Sequence, residues 1–231
     1  MSDIAVEALD TQTALEAPSR TAIALVTLAL AVGSFGIGTG EFVIMGLLPN
    51  VADTFGVTTP QAGHVISAYA LGVVVGAPII AVLAAKMARR TLLLLMMAIF
   101  AAGNISSAFA PTFESFTALR FITGLPHGAY FGVAALVAAS MVPVHRRVRA
   151  VGQVMLGLTI ATLIGTPIAT FLGQMLEWRA AFMMVGAVGL VTMLLIALFL
   201  PKDKVEEGAS ITRELGALKR IQVWLTLGVA A

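Results

Sequence analysis

The sequence predicts an all-α membrane protein of six transmembrane helices, and three observations predict it. Of 231 residues, 59% are apolar and only 11% are charged, less than half the roughly 25% typical of soluble domains. Six apolar runs each reach the ~20 residues that a helix needs to cross a bilayer. The basic residues collect in alternate loops, the pattern that orients helices in a membrane. The chain has no cysteine, which excludes disulfide frameworks and thiolate metal sites. With the apolar runs set aside, no basic and aromatic patch remains for nucleic acid.

Residues 1–20 are polar, with Asp3, Glu7, Asp10 and Glu16 against the single Arg20, and read as a cytoplasmic tail. They lack the basic start of a secretory signal, and the run that follows is longer than a signal core. The six runs occupy about 21–49, 61–84, 91–111, 115–141, 148–171 and 178–200, a six-span bundle over 21–200. Their breaks are turn-like or charged: Pro49 to Pro60, Lys86 to Arg90, Pro111 to Glu114, Pro143 to Arg149, and Glu177 to Arg179. Transmembrane strands are excluded, because the runs show no sustained alternation and far exceed a barrel strand in length.

With a cytoplasmic N-terminus, 12 of the 14 Lys and Arg residues fall on that side. The two others are Arg120, inside the fourth run, and Arg179, at the start of the sixth. Asp53, Glu114 and Glu177 lie in the opposite loops. Residues 201–220 read as a cytoplasmic loop. Within it Ser210 is placed to cap a helix over 211–221 with Ile211, Leu215, Leu218 and Ile221 on one face. That helix suits a membrane surface; a solvated linker suits the composition equally. Residues 221–231 turn apolar again but are too few to span, and read as the start of a seventh span.

The fourth run holds Arg120, Pro126 and His127, which hydrocarbon tolerates badly, and Gly124, Gly128 and Gly132 at intervals of four. Small residues at that spacing let helices pack closely, and an intramembrane ionisable group usually faces protein or a water-filled cavity. The fifth run carries a longer ladder, Gly157, Ala161, Gly165, Ala169 and Gly173, with Pro167 inside it. Pro78, Pro126 and Pro167 are each expected to bend their helices. Asn104, Ser106 and Ser107 in the third run are suited to bonds between helices.

Glu41 follows four glycines of the first run, Gly33, Gly36, Gly38 and Gly40. A charged carboxylate there costs a few kcal/mol, and one that gains and loses a proton is what a proton-coupling site needs. The competing reading is a carboxylate extending to the outer surface. Helical rise puts Glu41 about 9 Å and Arg120 about 12 Å outward of their span centres. The two are therefore expected to face one cavity and form an ion pair that protonation of Glu41 weakens. The alternative for Arg120 is to extend outward. His127, seven residues on, lies on nearly the same face as Arg120. It suits substrate binding or proton relay; a histidine held by a carbonyl is the other reading.

Several segments occur together in family order: GTGEFVIMGLLPNVA (38–52), SAYALGVVVGAPI (67–79), RFITGLPHGAYFG (120–132), GLTIATLIGTPIATFLGQ (157–174) and WRAAF (178–182). Over roughly 21–200 the chain resembles the major facilitator superfamily, in its twelve-span drug:proton antiporter branch, and within it bacterial sugar (arabinose-type) and chloramphenicol efflux permeases. The family's loop after span two reads Gly-x-Leu-Ala-Asp-Arg-x-Gly-Arg-Arg. Here Lys86, Arg89 and Arg90 keep its basic character, while alanines replace both glycines and the aspartate. The resemblance implies a gating role for those three residues. It implies a proton-coupling role for Arg120, with Gly124 four residues on, and an exporter's motif at Gly165 and Pro167. It implies a six-span N-terminal half whose substrate binds against a second, C-terminal six-span half.

The expectation is thus a proton-coupled efflux transporter of small organic molecules in a bacterial inner membrane. Its partners are a small-molecule substrate, protons, the lipid bilayer and the second half, with no cofactor or metal. An intramembrane enzyme is disfavoured, since HExxH, GxSxG and paired intramembrane aspartates are all missing. A membrane half that does not transport is the remaining alternative.

Overall fold

The computed structural model describes residues 19–84 and 87–202. The readings of the N-terminal tail before Ser19, of Lys86, of a helix over 211–221 and of a seventh span lie outside the described residues. Within them the fold is all-helical, with six helices long and apolar enough to cross a membrane. Span one is Arg20–Gly46, span two Thr59–Leu83, span three Arg89–Ala108, span four Phe113–Ser140, span five Val144–Met175 and span six Trp178–Phe199.

Spans one, two and four begin where short polar side chains can replace the missing backbone acceptors. The Ser19 hydroxyl accepts from the Ala22 amide. Thr58 with Gln61, and Thr112 with Ser115, form reciprocal capping boxes. The segment read from sequence as the turn-like break Pro49 to Pro60 is mostly helical instead. Leu48–Phe55 is a helix with Pro49 in its first turn, where a missing amide proton costs nothing. It ends at Gly56, whose φ of 66° is the left-handed conformation that glycine supplies without strain.

Spans three and six, one and five, and two and four pack as pairs, and spans one and six close the bundle. The apolar core falls into two clusters. One gathers around Leu30, Met96, Phe100 and Tyr130. The other lies toward the Trp178 end, around Ile44, Phe116, Trp178 and Phe182.

Glycine decides two of the pairings. A Cβ on Gly72 or Gly76 of span two would strike the carbonyl oxygens of Phe121 and Leu125 in span four. A Cβ on Gly124 would strike that of Tyr69. Spans two and four thus touch backbone to backbone. Gly128 is in ordinary contact, 3.5 Å from Val73 for its Cβ position. Gly132 corrects the expectation of a continuous packing edge: none of the described residues lies within 4 Å of its Cβ position. The ladder of span five runs along span one: a Cβ on Gly157 would meet Ala31 and Ser34, on Gly165 Phe35 and Thr39, and on Gly173 Leu47.

The three prolines act differently. Pro78 sits inside an unbroken helix, His64–Ala84. Pro126 divides span four into Phe113–Gly124 and His127–Ser140. Proline there can neither donate to the Ile122 carbonyl nor avoid it, and the Leu125 amide bonds that carbonyl instead, at 3.3 Å. Pro167 follows a π-helical turn, Ala161–Gly165, that divides span five. Among the described residues Asn104 and Ser107 do not bond between helices: they donate to Phe100 and Gly103 of their own span, which satisfies a buried donor without help from a neighbour.

Candidate functional site

Glu41 lies in the last turn of the helix Arg20–Phe42, just before the winding tightens into the 3₁₀ turn Val43–Gly46. Arg120 projects from span four and is fully buried, so it does not extend outward. Its guanidinium donates from Nη2 to the Gly40 carbonyl at 3.0 Å. It lies over the ring of Tyr69, 4.3 Å from the centroid, and near that of Phe182, at 5.5 Å. A guanidinium is planar and weakly hydrated, which suits it to aromatic faces. One side chain thereby joins spans one, two, four and six.

The expected Glu41–Arg120 ion pair is not formed. Among the described residues the Glu41 carboxylate meets the imidazole of His127 instead, Oε2 standing 3.8 Å from Nε2. The physical reason is reach: Arg120 is engaged by the backbone one residue before Glu41 and by the ring beneath it. His127 Nδ1 is 2.9 Å from the Tyr69 hydroxyl, and its ring meets those of Tyr69 and Phe131 edge-on. Glu41, Arg120 and His127 therefore do converge, through Tyr69. His127 is not held by a carbonyl.

Among the described residues Arg120 Nε and Nη1 have no hydrogen-bond partner, and neither does the buried Thr39 hydroxyl. Buried donors of this kind are unusual in native interiors. At the opposite end of span three, Arg90 donates from Nη2 to the Ala197 carbonyl near the end of span six, a favourable place for a cation. Arg89 begins the helix of span three.

Sequence reasoning missed Tyr69. The signal was available: the chain has two tyrosines, both inside apolar runs, and a buried phenol needs a partner for its hydroxyl. Tyr130 obeys the same rule by donating to the Leu30 carbonyl at 2.9 Å. Gly72 and Gly76, four apart in span two, were likewise legible as a small-residue pair and were not singled out.

A six-span bundle with ionisable residues gathered in its interior is the architecture of a polytopic membrane protein. Residues 30–230 match the Major Facilitator Superfamily, and the chain belongs to that family. It is 45% identical over 196 residues to the inner membrane transport protein YdhP of Escherichia coli strain K12, covering 85% of this chain and 50% of that protein. It is 34% identical over 206 residues to a chloramphenicol resistance protein of Streptomyces lividans, covering 87% and 53%. The fold matches the partially occluded, inward-open xylose transporter XylE of E. coli with a TM-score of 0.70 and 17% identity, over 79% of this chain and 49% of that one. The chain spans about half the length of the curated relatives it matches.

Proposed function

We propose that this chain forms the N-terminal half of a proton-coupled exporter of small organic molecules, working by alternating access in a bacterial inner membrane. The observation that carries the reading is the convergence of Glu41, His127, Arg120 and Tyr69 inside the bundle. A carboxylate that exchanges a proton beside a fixed guanidinium and an imidazole gives a site two charge states with different local contacts. A transporter needs such a difference to couple proton movement to a change of shape. Arg120, with two buried donors unengaged, offers the polar anchor for substrate. A second six-span half supplies the opposite wall. Export, rather than import, is supported by Gly165 and Pro167 at the π turn of span five and by similarity to a protein named for chloramphenicol resistance. In this reading the N-terminus is cytoplasmic, which the basic loops on the Arg20 side support. Arg89 and Arg90, with Lys86, belong to its cytoplasmic gate.

The test is proton-driven efflux from membrane vesicles. The 231-residue chain is compared with a version continued through twelve spans, each with Glu41 or Glu41→Gln. Efflux by the twelve-span form that loses its proton dependence in Glu41→Gln supports the reading. Coupling that survives Glu41→Gln removes Glu41 as the proton site. No efflux of sugars or amphenicols by either form overturns the substrate class.

A further inference from the structure

We propose that Tyr69 is a positioning residue of the coupling site: its hydroxyl donates to Nδ1 of His127 and so holds the imidazole in the tautomer that presents Nε2–H to Glu41. The proposal rests on the functional reading above and gives Tyr69 a role that reading does not assign.

The geometry leaves few other arrangements. Tyr69 is 3% exposed, and among the described residues its hydroxyl bonds His127 Nδ1 at 2.9 Å. A neutral imidazole has one nitrogen that donates and one that accepts. If Tyr69 donates to Nδ1, the ring proton must sit on Nε2, which faces Glu41 Oε2 at 3.8 Å. The opposite tautomer would turn a nitrogen lone pair toward a carboxylate oxygen, a repulsive arrangement. The ring has little freedom to escape, because Tyr69 and Phe131 both meet it edge-on, with centroids 5.7 and 5.3 Å away. Tyr69 itself is fixed by the Arg120 guanidinium over its face.

Other titratable groups are few around this imidazole. Span one brings Glu41, span two brings Tyr69, and its own span brings Arg120 and Tyr130. Spans three and five also pack on this part of span four. Span three has no ionisable side chain after Arg90, and span five none after Arg149. Before Nδ1 can take a proton, the Tyr69 hydroxyl must turn from donor to acceptor. The phenol therefore keeps Nε2–H directed at Glu41, instead of a lone pair that would compete with the carboxylate for the proton.

The test reads the tautomer directly. The full chain in lipid nanodiscs is labelled with ¹⁵N-histidine, and the signals of His64, His127 and His145 are separated by loss of one in His127→Asn. The expected result is an Nε2–H tautomer at His127 whose excess over the Nδ1–H form falls about 2- to 10-fold in Tyr69→Phe, the range for loss of one hydrogen bond. His64 and His145 should be unmoved. An Nδ1–H tautomer in the unaltered chain, or an unchanged ratio in Tyr69→Phe, overturns the proposal.

If Tyr69→Phe disturbs all three histidines, Glu41→Gln decides: the tautomer should persist there, and its reversal would make Glu41 the determinant and overturn the proposal. In the twelve-span form, Tyr69→Phe should displace the pH profile of efflux and add nothing in a His127→Asn background. An unchanged profile, or an equal displacement in that background, overturns the coupling role. Proton coupling that survives Glu41→Gln would sink the functional reading instead, and the tautomer measurement would still stand.

Discussion

The guanidinium of Arg120 bypasses the carboxylate of Glu41 and bonds the backbone of its neighbour, donating to the Gly40 carbonyl at 3.0 Å. A cation fully buried in a membrane protein is thus held by a carbonyl dipole and two aromatic faces. This leaves the carboxylate next to it with the His127 imidazole as its neighbour, 3.8 Å away, among the described residues.

Arg120→Lys should therefore fail although it keeps the charge. An ammonium cannot lie flat on Tyr69 while reaching Gly40. Loss of a hydrogen bond from a charged group costs about 1.5–3 kcal/mol. A lowered unfolding temperature in nanodiscs, together with loss of efflux in the twelve-span form, is the expected outcome. Native stability in Arg120→Lys would show that the planar contact contributes nothing.

Gly124→Ala and Gly132→Ala should separate cleanly, though both are glycines of one span. The first places a methyl against the Tyr69 carbonyl, which cannot move without shifting span two, and should cost about 1–3 kcal/mol as overpacking does. The second meets nothing within 4 Å and replaces glycine by the best helix former, a gain of up to about 1 kcal/mol. Thermal unfolding of the two variants reads the difference.

Gly157→Ala should loosen the seam between spans one and five, because its new methyl would strike the Ala31 carbonyl and the Ser34 side chain. A cost of about 1–3 kcal/mol is expected. Engineered cysteines at Ala31 and Leu158 would report the separation through slower crosslinking.

Tyr130→Phe should be mild. The Leu30 carbonyl loses the tyrosine hydroxyl but keeps the Ser34 hydroxyl, which donates to it at 3.2 Å. A loss near the low end of the range for one hydrogen bond, about 0.5 kcal/mol, is expected. Adding Ser34→Ala strands the carbonyl's side-chain partners altogether, and the double variant should lose more than the two single losses combined.

The six spans were legible because length and hydropathy are properties of each run alone. Their observed bounds differ from the sequence reading by a few residues, mainly after Gly46, where a short helix replaces a turn. The site was legible in membership and not in wiring. Glu41, Arg120 and His127 stand out as polar residues in apolar runs. Which of them meet depends on the turn at Pro126 and on the contact of Gly72 and Gly124, which draws Tyr69 between them. The sequence signals a bend at Pro126 but not its direction, and so does not reveal that contact. Gly132 failed for a related reason: a four-residue interval shows that glycines share a face, not that a neighbour covers all of it.

The π turn of span five has a consequence for phase. Residues four apart on an α-helix advance about 40° beyond a full turn at each step, since one turn takes about 3.6 residues. Over the four steps from Gly157 to Gly173 that drift reaches about 160°, enough to carry the last glycine to the far side of the helix. The π turn at Ala161–Gly165 takes up an extra residue per turn and returns much of that rotation. Gly173 consequently still looks onto Leu47, as Gly157 looks onto Ala31. Deleting one residue from that turn would rotate the second half of the span by about 100° and bring larger side chains against span one, so the bulge acts as the gear tooth that keeps the two helices in step.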